Sequence, residues 1–333
     1  MSQRKLSRQQ RRRIEKTQGE RARRAQQREA ADTSDAAYGD EEPGRVVAHF
    51  GRHLEVEDSH GQRYRCHLRA NLEPLVTGDH VSWRRGSDGS GVVEARLPRR
   101  STLARPDARG RLRDVAANID RILIVLAVEP EPHPFLIDRY LVAAEATGIT
   151  PALVLNKLDL LGDDHPLHAL AHRYRTLGYA VIGATTRREE GLTALAEVLL
   201  DVTAVFVGQS GVGKSSLIDA LLPDAELRIG ELSLDSRKGR HTTTTARLYH
   251  FREGKGALID SPGIRDFGLG HLDEREIEAG FVEFRPYLGH CRFRDCHHRR
   301  EPGCAILAAV ENGDIAAERL ESFRHIVDEV QAG

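Results

Sequence analysis

Residues Gly208 to Ser216 read GQSGVGKSS. The spacing is G-x-x-x-x-G-K-[ST], the pattern of a loop that wraps nucleotide phosphates. Gly208, Gly211 and Gly213 let the backbone turn tightly and aim its N–H groups at phosphate oxygens. Lys214 reaches the terminal phosphates, and the Ser215 hydroxyl ligates Mg2+. A helix opening at Ser215 presents its positive end to the same phosphates. Gln209, Ser210, Val212 and Ser216 complete the stretch expected to touch nucleotide. An apolar strand, TAVFV, precedes the loop and an apolar-periodic helix follows it. That context separates a phosphate loop from a Gly-rich turn with a chance Lys-Ser.

A second motif selects the base. In LVLNKLD, Asn156, Lys157, Leu158 and Asp159 follow an apolar strand, at the sheet edge where ligands bind. A carboxylate there accepts from both N1–H and the 2-amino group of guanine, a donor pair that adenine lacks. The Lys157 stem can cover the base, and Asn156 can tie this loop to the phosphate loop. Thr185, after the strand YAVIG, sits where GTPases carry a further base contact, although a hydroxyl there also suits a helix cap. In LIDSPG, Asp260 ends a strand on the metal side, and the Gly263 N–H can meet the γ-phosphate. Within GRHTTTTARL, Thr243 or Thr244 is expected to complete the Mg2+ shell, while the threonine run 242–245 also fits a plain strand. Many GTPases carry a water-orienting Gln right after the D-x-x-G glycine, where this chain has Ile264. His241 is the candidate to orient the water instead; a surface histidine, a partner's group or a potassium ion are the alternatives.

These parts occur in rotated order. GTPases usually run phosphate loop, switch threonine, D-x-x-G, then N-K-x-D. Here N-K-x-D (156–159) and Thr185 come before the phosphate loop (208–216), and D-x-x-G (260–263) comes last. The domain reads as circularly permuted, which parallel strands tolerate when the old termini are close.

Downstream, CRFRDCHHRREPGC places Cys291, Cys296, His298 and Cys304 in the spacing C-x4-C-x-H-x5-C. Three thiolates and one imidazole suit a closed, structural Zn2+ site, with His297 as the competing imidazole. Arg292, Arg294, Arg299 and Arg300 surround it, a charge pattern that suits nucleic acid.

The elements that must position these residues follow from patterning. The 333-residue chain is too long for one ordinary domain, and 40% hydrophobic with 30% charged residues is a globular composition. Residues 1–28 are dense in Arg and Lys, so they cannot bury a core and suit a polyanion or plain solvation. Residues 1–44 are expected to be this disordered arm and an acidic linker. Short strand candidates over 45–98 suggest a small β-barrel of the oligonucleotide-binding type. Residues 99–117 read as a second linker. Alternating strands and helices over 118–272 make an α/β, doubly wound GTPase domain. Residues 273–333 form a mainly helical zinc module. No apolar run reaches a membrane span and the N-terminus lacks a signal-peptide core, so the expectation is a cytoplasmic protein.

With NIDRILIVLAV, IDRYLVAAE, GRHTTTTARLY, IDSPGIRDFGL and CRFRDCHHRREPGCAI, these motifs closely resemble the bacterial ribosome small subunit-dependent GTPase A family over about residues 44–330. The resemblance implies a barrel, a permuted GTPase domain and a zinc module, with zinc on Cys291, Cys296, His298 and Cys304. It implies a late-acting assembly factor that binds GTP or GDP, the small ribosomal subunit and its ribosomal RNA. It also implies subunit-stimulated hydrolysis that drives release, by a monomer. The basic arm is longer than the family leads one to expect. Two rival readings are an RNA-binding scaffold that holds GTP without turnover, and a translation factor acting on mature ribosomes.

Overall fold

The computed structural model describes residues 38–51, 53–69, 72–107, 111–222, 246–251, 256–260 and 269–332. The basic arm, His241, the threonine run 242–245, Gly263 and Ile264 lie outside the described residues.

The first unit is a closed barrel of β1 (Tyr38–His49), β2 (Leu54–Glu57), β3 (Arg63–Leu68), β4 (His80–Gly86) and β5 (Ser90–Arg96). The order is β1-β2-β3-β5-β4, and a β1–β4 pairing closes it. Every neighbour pair is antiparallel except β3 with β5. Alternate side chains, among them Val46, Leu54, Val56, Val81, Trp83 and Val93, fill the interior.

Residues 38–44, expected as linker, are the first half of β1 and pair with β4 from Gly86 to Val81. Their Gly, Asp, Glu and Pro look like turn chemistry, but this half-strand lies mostly on the outside of the barrel. Gly44 is required there: a Cβ would stand 2.5 Å from Val56 and 2.7 Å from Trp83.

The expected second linker is also folded. β6 (Thr102–Pro106) and β7 (Leu112–Ala117) form an antiparallel hairpin. Leu103 and Ala116 are buried, and Arg99 ties the hairpin's Asp114 (2.5 Å) to the buried Asp79 of the barrel (2.6 and 2.9 Å). The polar composition that suggested a linker is an ion-pair lock.

The GTPase domain contains β8 (Arg121–Ala127), α1 (Pro134–Thr147), β9 (Thr150–Asn156), α2 (Leu167–Thr176), β10 (Ala180–Gly183), α3 (Thr193–Val198), β11 (Thr203–Val207), α4 (Lys214–Leu221), β12 (Arg247–His250) and β13 (Ala257–Asp260). The order is β10-β9-β8-β11-β13-β12, parallel except for β12. Alternation splits the buried strand residues between two faces. Ile122, Ile124, Leu153 and Val205 meet Ile137, Leu141 and Ala144 of α1. Leu123, Val125, Val154 and Phe206 meet Leu195 of α3 and Leu217 and Ile218 of α4.

The last unit packs on α1. It holds α5 (Glu274–Gly280), the turn Val282–Tyr287, the cysteine loop, α6 (Ala305–Glu311) and α7 (Ala317–Ala332). Asp273 and Glu276 form a capping box that starts α5. Phe281 stacks on Phe284, Phe323 meets both rings edge-on, and the three bury Val142 and Ala143 of α1 in a shared core. Among the described residues no helix is long and apolar enough to cross a membrane.

Candidate nucleotide site and metal centre

Strands β8, β9, β11 and β13 end at one edge of the sheet, and the loops that follow β9 and β11 meet there. The meeting is a hydrogen bond: the Asn156 carboxamide, buried at the end of β9, donates to the Val212 carbonyl at 2.9 Å. Lys157 adopts the left-handed conformation (φ 60°), and its ammonium donates to the Glu129 carbonyl at 2.6 Å and the Gly211 carbonyl at 3.0 Å. Two residues of the N-K-x-D motif therefore hold the G-x-x-x-x-G-K-[ST] loop. Gly213 caps α4 at φ 92°, where a Cβ would lie 2.4 Å from the Asn156 amide nitrogen. Only glycine satisfies both the backbone angle and that contact.

Lys214 opens α4, one residue earlier than expected, and its ammonium donates to the Gly208 and Gln209 carbonyls at 2.7 Å each. Ser210, Ser215 and Ser216 are exposed, and Val212 is buried among the side chains under α4. Asp260 ends β13, the neighbour of β11.

Asp159 lies in the 3-10 turn Leu158–Leu160, with Leu158 packed over Gly183. The buried Thr185 hydroxyl donates to Asp159 Oδ1 at 2.5 Å and accepts from the Arg187 N–H at 3.1 Å. The Thr185 hydrogen bond, with Arg187 and Arg188 nearby, holds the Asp159 carboxyl below its usual range. Expected as a base contact, Thr185 has its hydroxyl on Asp159, the carboxylate expected to select the base, and orients it.

The four expected metal ligands converge. The Sγ atoms of Cys291, Cys296 and Cys304 and one His298 ring nitrogen lie within 4.8 Å of one another. His298 Nδ1 is 3.6 Å from Cys291, 3.6 Å from Cys296 and 3.1 Å from Cys304, and Cys291 Sγ is 3.9 Å from Cys304 Sγ. A tetrahedron of Zn–S bonds about 2.3 Å long has S···S edges of about 3.8 Å, so the set fits zinc. Burial pushes the Cys296 thiol up to about 12 and raises Cys304 as well. A dication supplies the charge that turns such thiols into thiolates.

His297, the competing imidazole, turns outward and contacts Glu274 at 2.9 and 3.0 Å. The backbone separates the two histidines, because His298 sits at φ 54°. His298 Nε2 is hydrogen-bonded to Glu278 of α5, which leaves Nδ1 free to face the thiols. Glu278, the partner of a candidate ligand, is a residue that motif reading misses. It lies outside the cysteine spacing, and only the packing of α5 brings it in. Beside the cluster opens a cleft of about 780 Å³ walled by Leu288, Phe293, Arg294 and His297.

A G-x-x-x-x-G-K-[ST] loop held by an N-K-x-D loop that precedes it in the chain defines a circularly permuted GTPase. The family model described as RsgA GTPase matches residues 96–270. The chain belongs to the RsgA GTPase family, and it is a GTP hydrolase. It is 68% identical over 338 residues to the small ribosomal subunit biogenesis GTPase RsgA of Chromohalobacter salexigens, covering 98% of each chain. It is 57% identical over 332 residues to the protein of that name from Pseudomonas aeruginosa, again with 98% of each chain covered. Its fold is similar to the crystal structure of YjeQ from Thermotoga maritima, with a TM-score of 0.73 and 32% identity over 88% of this chain and 99% of that one. It is also similar to YloQ, described as a circularly permuted GTPase, with a TM-score of 0.71 and 28% identity over 88% of this chain and 96% of that one.

Proposed function

We propose that this GTPase binds the small ribosomal subunit and assists its late maturation, with subunit-stimulated hydrolysis of GTP to GDP and phosphate driving release. The Asn156–Val212 hydrogen bond carries the nucleotide part of this reading, because it fuses the base and phosphate loops into one site. Asp159 reads guanine and the Lys157 stem covers it. Residues 208–216 wrap the phosphates, with Lys214 on the terminal ones. Ser215 with Thr243 or Thr244 would complete the shell of Mg2+, and Asp260 and the Gly263 N–H would serve its γ-phosphate side. Transfer of the γ-phosphoryl group to water needs positioning and charge stabilisation more than covalent help. Ile264 can neither donate nor accept, so His241 orients the water.

The partner follows from the relatives, which are named for small-subunit biogenesis. Ribosomal RNA is the surface we assign to the barrel and the zinc module. Arg292 lies over the ring of the exposed Phe293 at 5.5 Å, and Arg294 flanks it, a combination suited to phosphate and base contacts. With the barrel begun at Tyr38, the domain limits are 38–98 for the barrel, 118–272 for the GTPase domain and 273–333 for the zinc module, in a protein that acts as a cytoplasmic monomer.

The deciding experiment compares turnover with and without purified small subunits, for wild type, Lys214→Ala and His241→Ala. Wild type is expected to be stimulated and Lys214→Ala inactive. His241→Ala should lose roughly 10²-fold of the stimulated rate while still binding GTP. GTP binding without turnover, with or without subunits, favours an RNA-binding scaffold. In depleted cells, immature small subunits should accumulate; normal subunits with impaired translation favour a translation factor.

A further inference from the structure

Strand β12 is held from two sides. Along one edge it pairs with β13 through four residue pairs, from Arg247 opposite Asp260 to His250 opposite Ala257. Along the other it meets the barrel through one backbone pair, Ala48 with Arg247. Barrel side chains complete that second edge. The Thr77 hydroxyl donates to the Ala246 carbonyl at 2.9 Å. Arg247 stands 3.9 Å from Glu55 and 5.4 Å from the Phe50 ring. His250 Nε2 donates to Glu57 Oε1 at 2.5 Å.

Thr77 is closely confined by its surroundings. It is 1% exposed, and its own carbonyl accepts from the Ala117 N–H at 3.0 Å. Gly78 follows at φ 95°, so close to the Ala117 carbonyl and to Ile259 of β13 that no side chain fits. Asp79 is fully buried and locked by Arg99. The barrel thus delivers a fixed hydroxyl to the first described residue after the threonine run, which is joined covalently to Ala246. Across β12 from this grip lies Asp260, the metal-side carboxylate.

We infer that Thr77 and Glu57 are positioning residues for GTP hydrolysis. They hold β12 in the register that sets Arg247 opposite Asp260, the metal-side carboxylate. A partner that moves the barrel against the GTPase domain shifts this strand directly. The inference rests on the proposed coupling of barrel binding to turnover, and it adds the residues that transmit it.

Thr77→Val keeps the shape and removes the hydroxyl; Thr77→Ser restores it. Expected for Thr77→Val is a fall of about tenfold in kcat at saturating GTP, with GTP affinity and subunit co-sedimentation within twofold of wild type. Thr77→Ser should return kcat to near wild type. A merely structural role would instead lower the melting temperature and leave kcat per folded molecule unchanged, and that result overturns the inference. Glu57→Gln and His250→Gln, alone and combined, test the other end of the strand. Their effects on kcat should be non-additive, and additive or absent effects count against it. If wild-type turnover proves indifferent to subunits, the functional reading fails. Thr77 is then judged on basal kcat alone, which Thr77→Val must still lower.

Discussion

Arg319 and Asp138 form a buried ion pair between α7, near the end of the chain, and α1 of the GTPase domain. Each side chain is 2% exposed. Glu283 grips the same guanidinium through two contacts, at 2.5 and 3.1 Å, and the Tyr174 hydroxyl donates to Asp138 at 2.6 Å. The guanidinium also lies 4.5 Å from the centre of the Phe281 ring. Burial works against the charge on Arg319, but Asp138 and Glu283 outweigh it and raise its pKa. The zinc module is therefore anchored on the helix that packs beneath the parallel sheet.

Removing one partner leaves the others buried and uncompensated. Arg319→Ala should cost about 3–5 kcal/mol of stability, far more than a surface pair. Urea denaturation followed through the far-UV signal measures this. A loss below about 1 kcal/mol would show that the network is hydrated and weak.

At the metal centre, the expected outcome separates ligand from support. Cys291→Ala should abolish zinc retention and unfold the C-terminal module. Glu278→Gln keeps all four ligands but weakens the partner of His298 Nε2. Zinc affinity should fall by about 10- to 100-fold, read by competition with a chromophoric chelator. Unchanged affinity would mean that the donor set alone orients the ring.

Local strings made much of this molecule legible. The phosphate loop, N-K-x-D and the cysteine cluster are read residue by residue because backbone geometry at each demands fixed types at fixed spacing. The parallel strands were legible as unbroken apolar runs, since both faces are covered. What escaped depends on distance along the chain. Arg319 and Asp138 are 181 residues apart, and nothing near either announces the other. The first half of β1 and the β6–β7 hairpin carry linker-like composition because their polar side chains pair with other elements, Glu41 with Ser82, Glu42 with Arg85 and Asp114 with Arg99. Strand β12 follows the threonine run and is fixed by Thr77 and Glu57, far upstream.

The Glu57–His250 contact has a pH signature. Burial raises the Glu57 carboxyl, but the hydrogen bond and charge of His250, together with Arg63, outweigh this and hold it below its ordinary value. A carboxyl lowered on folding stabilises the fold above its unfolded pKa of about 4.3, and the contribution is lost as pH falls through the folded value. Wild type should therefore melt above Glu57→Gln at pH 6–7, with the gap closing as pH drops below about 4. A gap that persists at low pH would place the effect in packing rather than charge.

The last prediction concerns the base. Asp159 offers two acceptor oxygens, and Thr185 donates to Oδ1 at 2.5 Å. In Asp159→Asn one oxygen becomes an NH2 group. The remaining oxygen can keep the Thr185 hydrogen bond, which turns the NH2 toward the base. Guanine then meets a donor where N1–H or the 2-amino group needs an acceptor. GTP should weaken by about 1–3 kcal/mol, roughly 5- to 150-fold. Xanthine carries a carbonyl in place of the 2-amino group, so XTP should gain over GTP. The orienting role of Thr185 gives a second arm: Thr185→Val in the Asp159→Asn background frees the amide to rotate, and the XTP preference should shrink. Fluorescent-nucleotide competition at fixed Mg2+ reads both arms. Unchanged GTP affinity in Asp159→Asn would remove the base-selecting role from this carboxylate. A preference indifferent to Thr185 would show that the amide is oriented by another group.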